Sequence, residues 1–117
     1  MDKMMIAKLA MTAVLVAGVA APALAGASGF ALVNQAGGAV SGIALRRTGS
    51  SEWQSVGGGA SDGARTKVSF SDPDCAFDVR ATVAGHGETV WSRVNLCEVS
   101  SVTLHRDASG TTWVDYD

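Results

Sequence analysis

CAFDVRATVAGHGETVWSRVNLC, residues 75–97, decides the fold. It holds both cysteines, the longest strand-like run and one of the three tryptophans. In its first arm Cys75, Phe77, Val79, Ala81 and Val83 alternate with Asp78, Arg80 and Thr82, the two-residue period of a strand buried on one face. Gly85-His86-Gly87 reads as the turn, because glycine accepts the positive φ that tight turns demand. In the second arm Val90, Val94 and Leu96 share one face, and Trp91, Arg93, Asn95 and Cys97 share the other. A plain hairpin centred on His86 sets Cys75 opposite Cys97. It also sets Phe77 against Asn95 and Val79 against Arg93, which mixes apolar and polar side chains on one face. Two solutions stay open. A β-bulge near Leu96 turns Cys97 inward, or the arms lie in different sheets and the bridge crosses the core, as in immunoglobulin-like sandwiches. The bulged hairpin is preferred.

Outward from this stretch the chain keeps the same grammar. Phe30–Asn34 forms a first strand with Phe30, Leu32 and Asn34 on one face. Residues 35–38 turn the chain. Ala39–Arg47 follows as a strand with Ile43 and Leu45 on one face and Ala44 and Arg46 on the other, and Gly42 marks a bulge or a close backbone neighbour. Glu52–Val56 is a short strand around Trp53, and Gly57–Gly63 reads as a flexible loop. Arg65–Ser71 points Val68 and Phe70 inward, and residues 71–74 turn the chain. After the cysteine segment come Ser101–Arg106, with Val102 and Leu104 inward, a turn over residues 107–110, and a last strand over residues 111–116 carrying Trp113 and Tyr116. Helical periodicity is absent after residue 25. Strands every eight to twelve residues, separated by Gly- and Asp-rich turns, predict a single small antiparallel β-sandwich of immunoglobulin-like or similar topology, with about seven or eight strands.

The first 25 residues read as a signal peptide rather than as part of the fold. Lys3 and Lys8 make the start basic, residues 9–21 are an uncharged and mostly apolar run, and Ala23-Leu24-Ala25 supplies small residues at −3 and −1 of a cleavage site between Ala25 and Gly26. A transmembrane reading is disfavoured, because a spanning helix needs roughly 20 apolar residues and this run carries Lys8 and no basic stop. Ala27 stands where a lipoprotein box needs its cysteine, so no stable membrane anchor is expected after cleavage. The only Arg-Arg pair is Arg46-Arg47, which argues against twin-arginine export. The expected product is residues 26–117, a soluble periplasmic or secreted domain. Two cysteines in an exported chain most often pair, and a Cys75–Cys97 disulfide is expected. Net charge is −2 over the whole chain. Residues 26–117 hold Lys67 and six arginines against ten carboxylates and form no basic stripe. Nucleic acid is therefore not an expected partner.

The order of these features resembles a family of small, uncharacterised exported bacterial all-β proteins. The match runs through Phe30–Asn34, Ser51–Trp53, Phe70, Cys75-Ala-Phe-Asp-Val-Arg80, Trp91 and Asn95-Leu-Cys-Glu-Val99, with the cysteine segment the most diagnostic part. Ala36 stands where the family pattern has a turn threonine. The resemblance implies a compact β-domain with its cysteines paired, and it implies no activity.

Catalytic motifs are missing. The chain has no Gly-x-Ser-x-Gly elbow, no His-Glu-x-x-His and no phosphate-binding Gly-Lys-Ser/Thr. His86 reads as a solvated turn residue and His105 as a strand-end surface residue. His86-Gly-Glu88 lacks the Pro-Cys-x-x-Cys partner of a zinc deaminase. Asp72, Asp74 and Asp78 cluster without the spacing of a calcium loop. Asp78 and Arg80 lie two apart on one strand face, placed to pair with each other or to hydrogen-bond a loop. No enzyme activity, metal or cofactor is expected. Trp53, Trp91 and Trp113 are the candidate binding residues, weighed against core packing. The expected role is a monomeric, non-enzymatic module contacting an envelope protein. The alternative is a carbohydrate-binding module, whose mark is a coplanar pair of exposed tryptophans.

Overall fold

Eight strands form among the described residues, most of them where the two-residue period is found. The computed structural model describes residues 26–117, so the expected signal segment and Ala25 lie outside the described residues. The strands are β1 (Ala27–Gln35), β2 (Val40–Arg47), β3 (Gln54–Ala60), β4 (Arg65–Asp72), β5 (Ala76–Val83), β6 (Gly87–Asn95), β7 (Ser101–Arg106) and β8 (Thr112–Tyr116). They form two four-stranded sheets, ordered β4-β1-β7-β8 and β3-β2-β5-β6. Phe30, Leu32, Val68, Val102 and Leu104 from the first sheet meet Ile43, Leu45, Phe77, Val79, Val83, Trp91, Val94 and Leu96 from the second in one buried cluster. The expected small all-β sandwich is present. Two details differ from the expectation. The β1–β7 pairing is parallel, and the strand order is not the ABED/CFG order of an immunoglobulin domain.

The cysteine segment is a hairpin, and β5 and β6 lie side by side in one sheet. Its turn is centred on Gly85 rather than His86. The His86 N–H donates to Val83 O at 2.9 Å, and Gly85 takes φ +82° at the third turn position, where the type II geometry requires a positive φ. The bulge is not near Leu96. Pairing runs Val79↔Trp91 and then Phe77↔Val94, so Ser92 and Arg93 together face Asp78. Arg93 adopts φ +57°, a strained value for a side-chain-bearing residue. Its N–H is held by the Asp78 carboxylate at 3.0 Å. The extra residue switches the phase of the arm. Trp91 and Val94 both point inward, and Val90 points out. The apolar–polar clash of the plain register thus disappears. Cys75 and Cys97 close the open end of the hairpin as a disulfide with a Cα–Cα distance of 5.1 Å.

Two further departures concern glycine. Gly42 sits in a bulge of β2 with φ +62°, as the sequence suggested. Of the Gly57–Gly63 stretch expected as a loop, residues 57–60 are instead the second half of β3, and residues 61–63 turn the chain. A Cβ on Gly59 would lie 2.2 Å from Val40 O, so only glycine lets β3 approach β2 this closely. Asn34, fully buried at the end of β1, donates to Gly38 O, Ala60 O and Ser61 O and accepts from the Ala36 N–H. One side chain thereby joins the first turn to the loop after β3. No helix among the described residues is long and apolar enough to cross a membrane.

Candidate functional site

The three tryptophans have three different fates. Trp91 is 1% exposed, and its Nε1–H donates to the His105 carbonyl of the opposite sheet at 2.8 Å. It is a core residue and offers no surface. Trp53 lies just before β3 on the outer face of the second sheet. The register Ala44↔Arg80 and Arg46↔Asp78 puts both arginines on that face, and each guanidinium carbon sits 4.4 Å from the indole centroid. Arg46 is in turn paired with Asp78 at 2.9 Å and Arg80 with Glu88 at 3.2 Å. The result is a ladder of alternating charge and ring, Glu88–Arg80–Trp53–Arg46–Asp78. Trp113 alone of the three is exposed, at 45%.

Asp78 is the hub of that ladder. It does not pair with Arg80, the partner two residues along its own strand. It accepts hydrogen bonds from Arg46, from the Thr48 hydroxyl at 3.1 Å and from the Arg93 N–H. Burial works against its ionisation, but the Arg93 N–H, Arg46 and Thr48 outweigh that cost. The carboxyl is held below the ordinary range. This chemistry pins the bulge and the β2–β3 loop.

A second cluster occupies the outer face of the first sheet. The register His105↔Trp113 makes them cross-strand partners. Their rings stack with centroids 5.1 Å apart and 3° between planes, and His105 Nε2 lies 2.8 Å from the Asp115 carboxylate. The group is open to solvent on a flat strand pair. His86 sits exposed at the β5–β6 turn.

A cleft of about 260 Å³ lies between the ends of β2, β3 and β4. Leu45, Phe70 and Phe77 line it, with Arg47, Glu52, Gln54 and Asp72 also in its wall. Phe70 meets Phe77 edge-on at 5.0 Å. Arg47 bridges Asp72 at 3.1 Å and Asp74 at 3.0 Å. The Asp74 N–H is the main force holding the Asp72 carboxyl below its ordinary range, and Arg47 adds to it. The three clustered aspartates are thus committed to arginines. No group of three or more His, Cys, Asp or Glu placed to hold a metal is formed among the described residues.

Sequence reasoning located Trp53 and Asp78 but missed their arginine partners, because Arg46 and Arg80 meet only through the β2–β5 register. The His105–Trp113 stack is legible once β7 and β8 are aligned as a hairpin. No protein-family model and no curated protein matches the sequence. The structure is similar to an NMR structure of a protein from Eubacterium rectale, with 17% identity, a TM-score of 0.56, and coverage of 83% of this chain and 94% of that one. The likeness is one of fold.

Proposed function

We propose that the protein is an exported, non-enzymatic domain, periplasmic or secreted, that works by contact with another envelope protein. The observation that carries this reading is the placement of exposed apolar side chains. Val90, Trp113 and Tyr116 are the large hydrophobic residues left at 36–46% exposure among the described residues; Trp113 is on the outer face of the first sheet, Val90 on that of the second, and Tyr116 at the flank where β8 meets β6. Trp and Tyr are the residues most enriched at binding hot spots. The disulfide suits an oxidising compartment, and the resemblance of the cysteine segment to exported bacterial proteins points the same way. The histidines lie outside the cleft walls, and the clustered Asp72, Asp74 and Asp78 are bound to arginines, which favours a binding role over catalysis.

A second reading, a glycan-binding surface, is favoured only by Trp113, whose ring stands exposed beside the polar atoms of Asp115 and His105. The coplanar pair of exposed tryptophans that would have supported it is not formed, since Trp91 is in the core and Trp53 lies between two arginines. Affinity capture of the tagged protein from its cell envelope tests the two readings. Reproducible enrichment of one envelope protein, lost with Trp113→Ala, is the expected result. An empty capture combined with a positive glycan panel would replace the contact reading.

A further inference from the structure

A sheet edge is a row of unpaired N–H and C=O groups, and proteins guard such edges with charge, proline, bulges or cover. The four edge strands here differ in that respect. β4 carries Arg65 and Lys67. β6 carries the Arg93 bulge, and its Asn95 N–H is taken by the Tyr116 hydroxyl. β8 is only five residues long. β3, QSVGGGA, has no charge and no proline and pairs with β2 alone.

Its glycines are not all explained by the fold. Gly59 is required by the approach of Val40 O, but nothing lies within 4 Å of a Cβ built on Gly58. A strand-interior glycine weakens the strand and marks a place where another backbone comes close. At Gly58 no backbone of this chain does so. The ends of the strand carry the other clue. Glu52 precedes β3 and Asp62 follows it, both exposed, and neither forms an ion pair among the described residues. An uncharged edge is therefore bracketed by two carboxylates. Antiparallel pairing with a second copy would bring Glu52 of one chain to Asp62 of the other, carboxylate against carboxylate, which disfavours self-association.

We infer that β3 is an acceptor edge for strand addition, and that its partner is an extended segment of another protein with lysine or arginine at both ends. Backbone hydrogen bonds supply affinity in this mode and flanking side chains supply specificity. The cleft beside Gln54, walled by Leu45, Phe70 and Phe77, receives an apolar side chain of the added strand. This surface is on the flank opposite Trp113 and shares with the proposed function only the premise that the domain acts by contact.

The test uses the ¹⁵N-labelled protein and two end-blocked peptides, Lys-Val-Thr-Val-Thr-Val-Thr-Val-Thr-Val-Lys, whose lysines stand as far apart in an extended strand as Glu52 and Asp62 do, and its analogue with glutamate at both ends. Amide shifts confined to β3, Glu52, Asp62 and the cleft walls are expected, with the lysine peptide bound at least about fivefold more tightly, as two weak charge pairs would give. Glu52→Lys with Asp62→Lys should invert that preference. Equal binding of the two peptides, or no shifts at millimolar peptide, overturns the proposal. Shifts along β6 and β8 instead would overturn it while leaving the contact reading intact. Concentration-dependent shifts at β3 without peptide would make a second copy the occupant and equally overturn it.

Discussion

The two flanks of the sandwich are closed by different means, and one of them is not fully closed. Along β6 and β8, side chains reach across to backbone. Trp91 Nε1–H donates to His105 O, the Thr112 hydroxyl donates to Val90 O, and the Tyr116 hydroxyl accepts from the Asn95 N–H. Along β3 and β4, Asn34 ties one end through Ala60 O and Ser61 O, while the other end opens into the Phe70–Phe77 cleft. What separates the flanks is whether polar side chains satisfy the edge backbone groups, since a satisfied edge has nothing left to offer a partner strand.

The largest effect should come from breaking the closed flank. Trp91→Ala removes a fully buried ring and its hydrogen bond to His105 O, and should cost about 3–5 kcal/mol in denaturant unfolding. Replacing Cys75 and Cys97 by serine releases the hairpin that carries this flank. For cysteines 22 apart the expected loss is about 3 kcal/mol, read calorimetrically as a fall in Tm of more than about 10 °C. An unchanged Tm would mean that the bridge does not hold the hairpin.

Asp78→Asn probes the hub between the bulge and the Trp53 ladder. At pH 7 it should cost about 1–3 kcal/mol, because charge-assisted hydrogen bonds weaken and Arg46 loses its counter-ion. The folded-state carboxyl of Asp78 is depressed, so its contribution is present above the unfolded value of about 3.9 and disappears as pH falls through the folded value. Stability curves of wild type and variant should therefore converge on acidification below about pH 4. A constant gap down to pH 2 would assign the cost to packing.

The smallest effects lie on the open flank and form a pair. Gly59→Ala, with its Cβ 2.2 Å from Val40 O, should destabilise by about 1–3 kcal/mol as β3 is pushed off β2. Gly58→Ala, with open space around it, should stay within about 0.5 kcal/mol of wild type. Equal losses would remove the distinction between a glycine the fold needs and one it does not.

Much of this architecture was readable from residue order. The alternation in β1, β4, β5 and β7 identified Leu32, Val68, Val79 and Leu104 as core, and the conflict between Phe77 and Asn95 left a bulge, the preferred solution, or arms in different sheets. The position of the bulge was not readable, because the residue that absorbs it, Arg93, carries no glycine-like signature. It is held at φ +57° by a carboxylate 15 positions away. β3 was misread at Gly57–Gly59 for a related reason. Local composition says loop, and only the nearness of Val40 O turns it into strand. The candidate site was legible by residue type and not by neighbourhood. That Trp91 is core together with Val94 follows from the bulge, Trp113 is surface because it pairs with His105 on the outer face of the first sheet, and the Arg46–Trp53–Arg80 stack follows from the β2–β5 register.

Native-state amide exchange measured residue by residue tests the contrast between the flanks most directly. The account predicts slow exchange at Asn95, whose edge N–H is taken by the Tyr116 hydroxyl. Alternate amides of Gln54–Ala60, facing away from β2, should exchange faster by orders of magnitude. Uniform protection along β3, matching that of β6, would show its edge already satisfied and would contradict both the open flank and the acceptor strand.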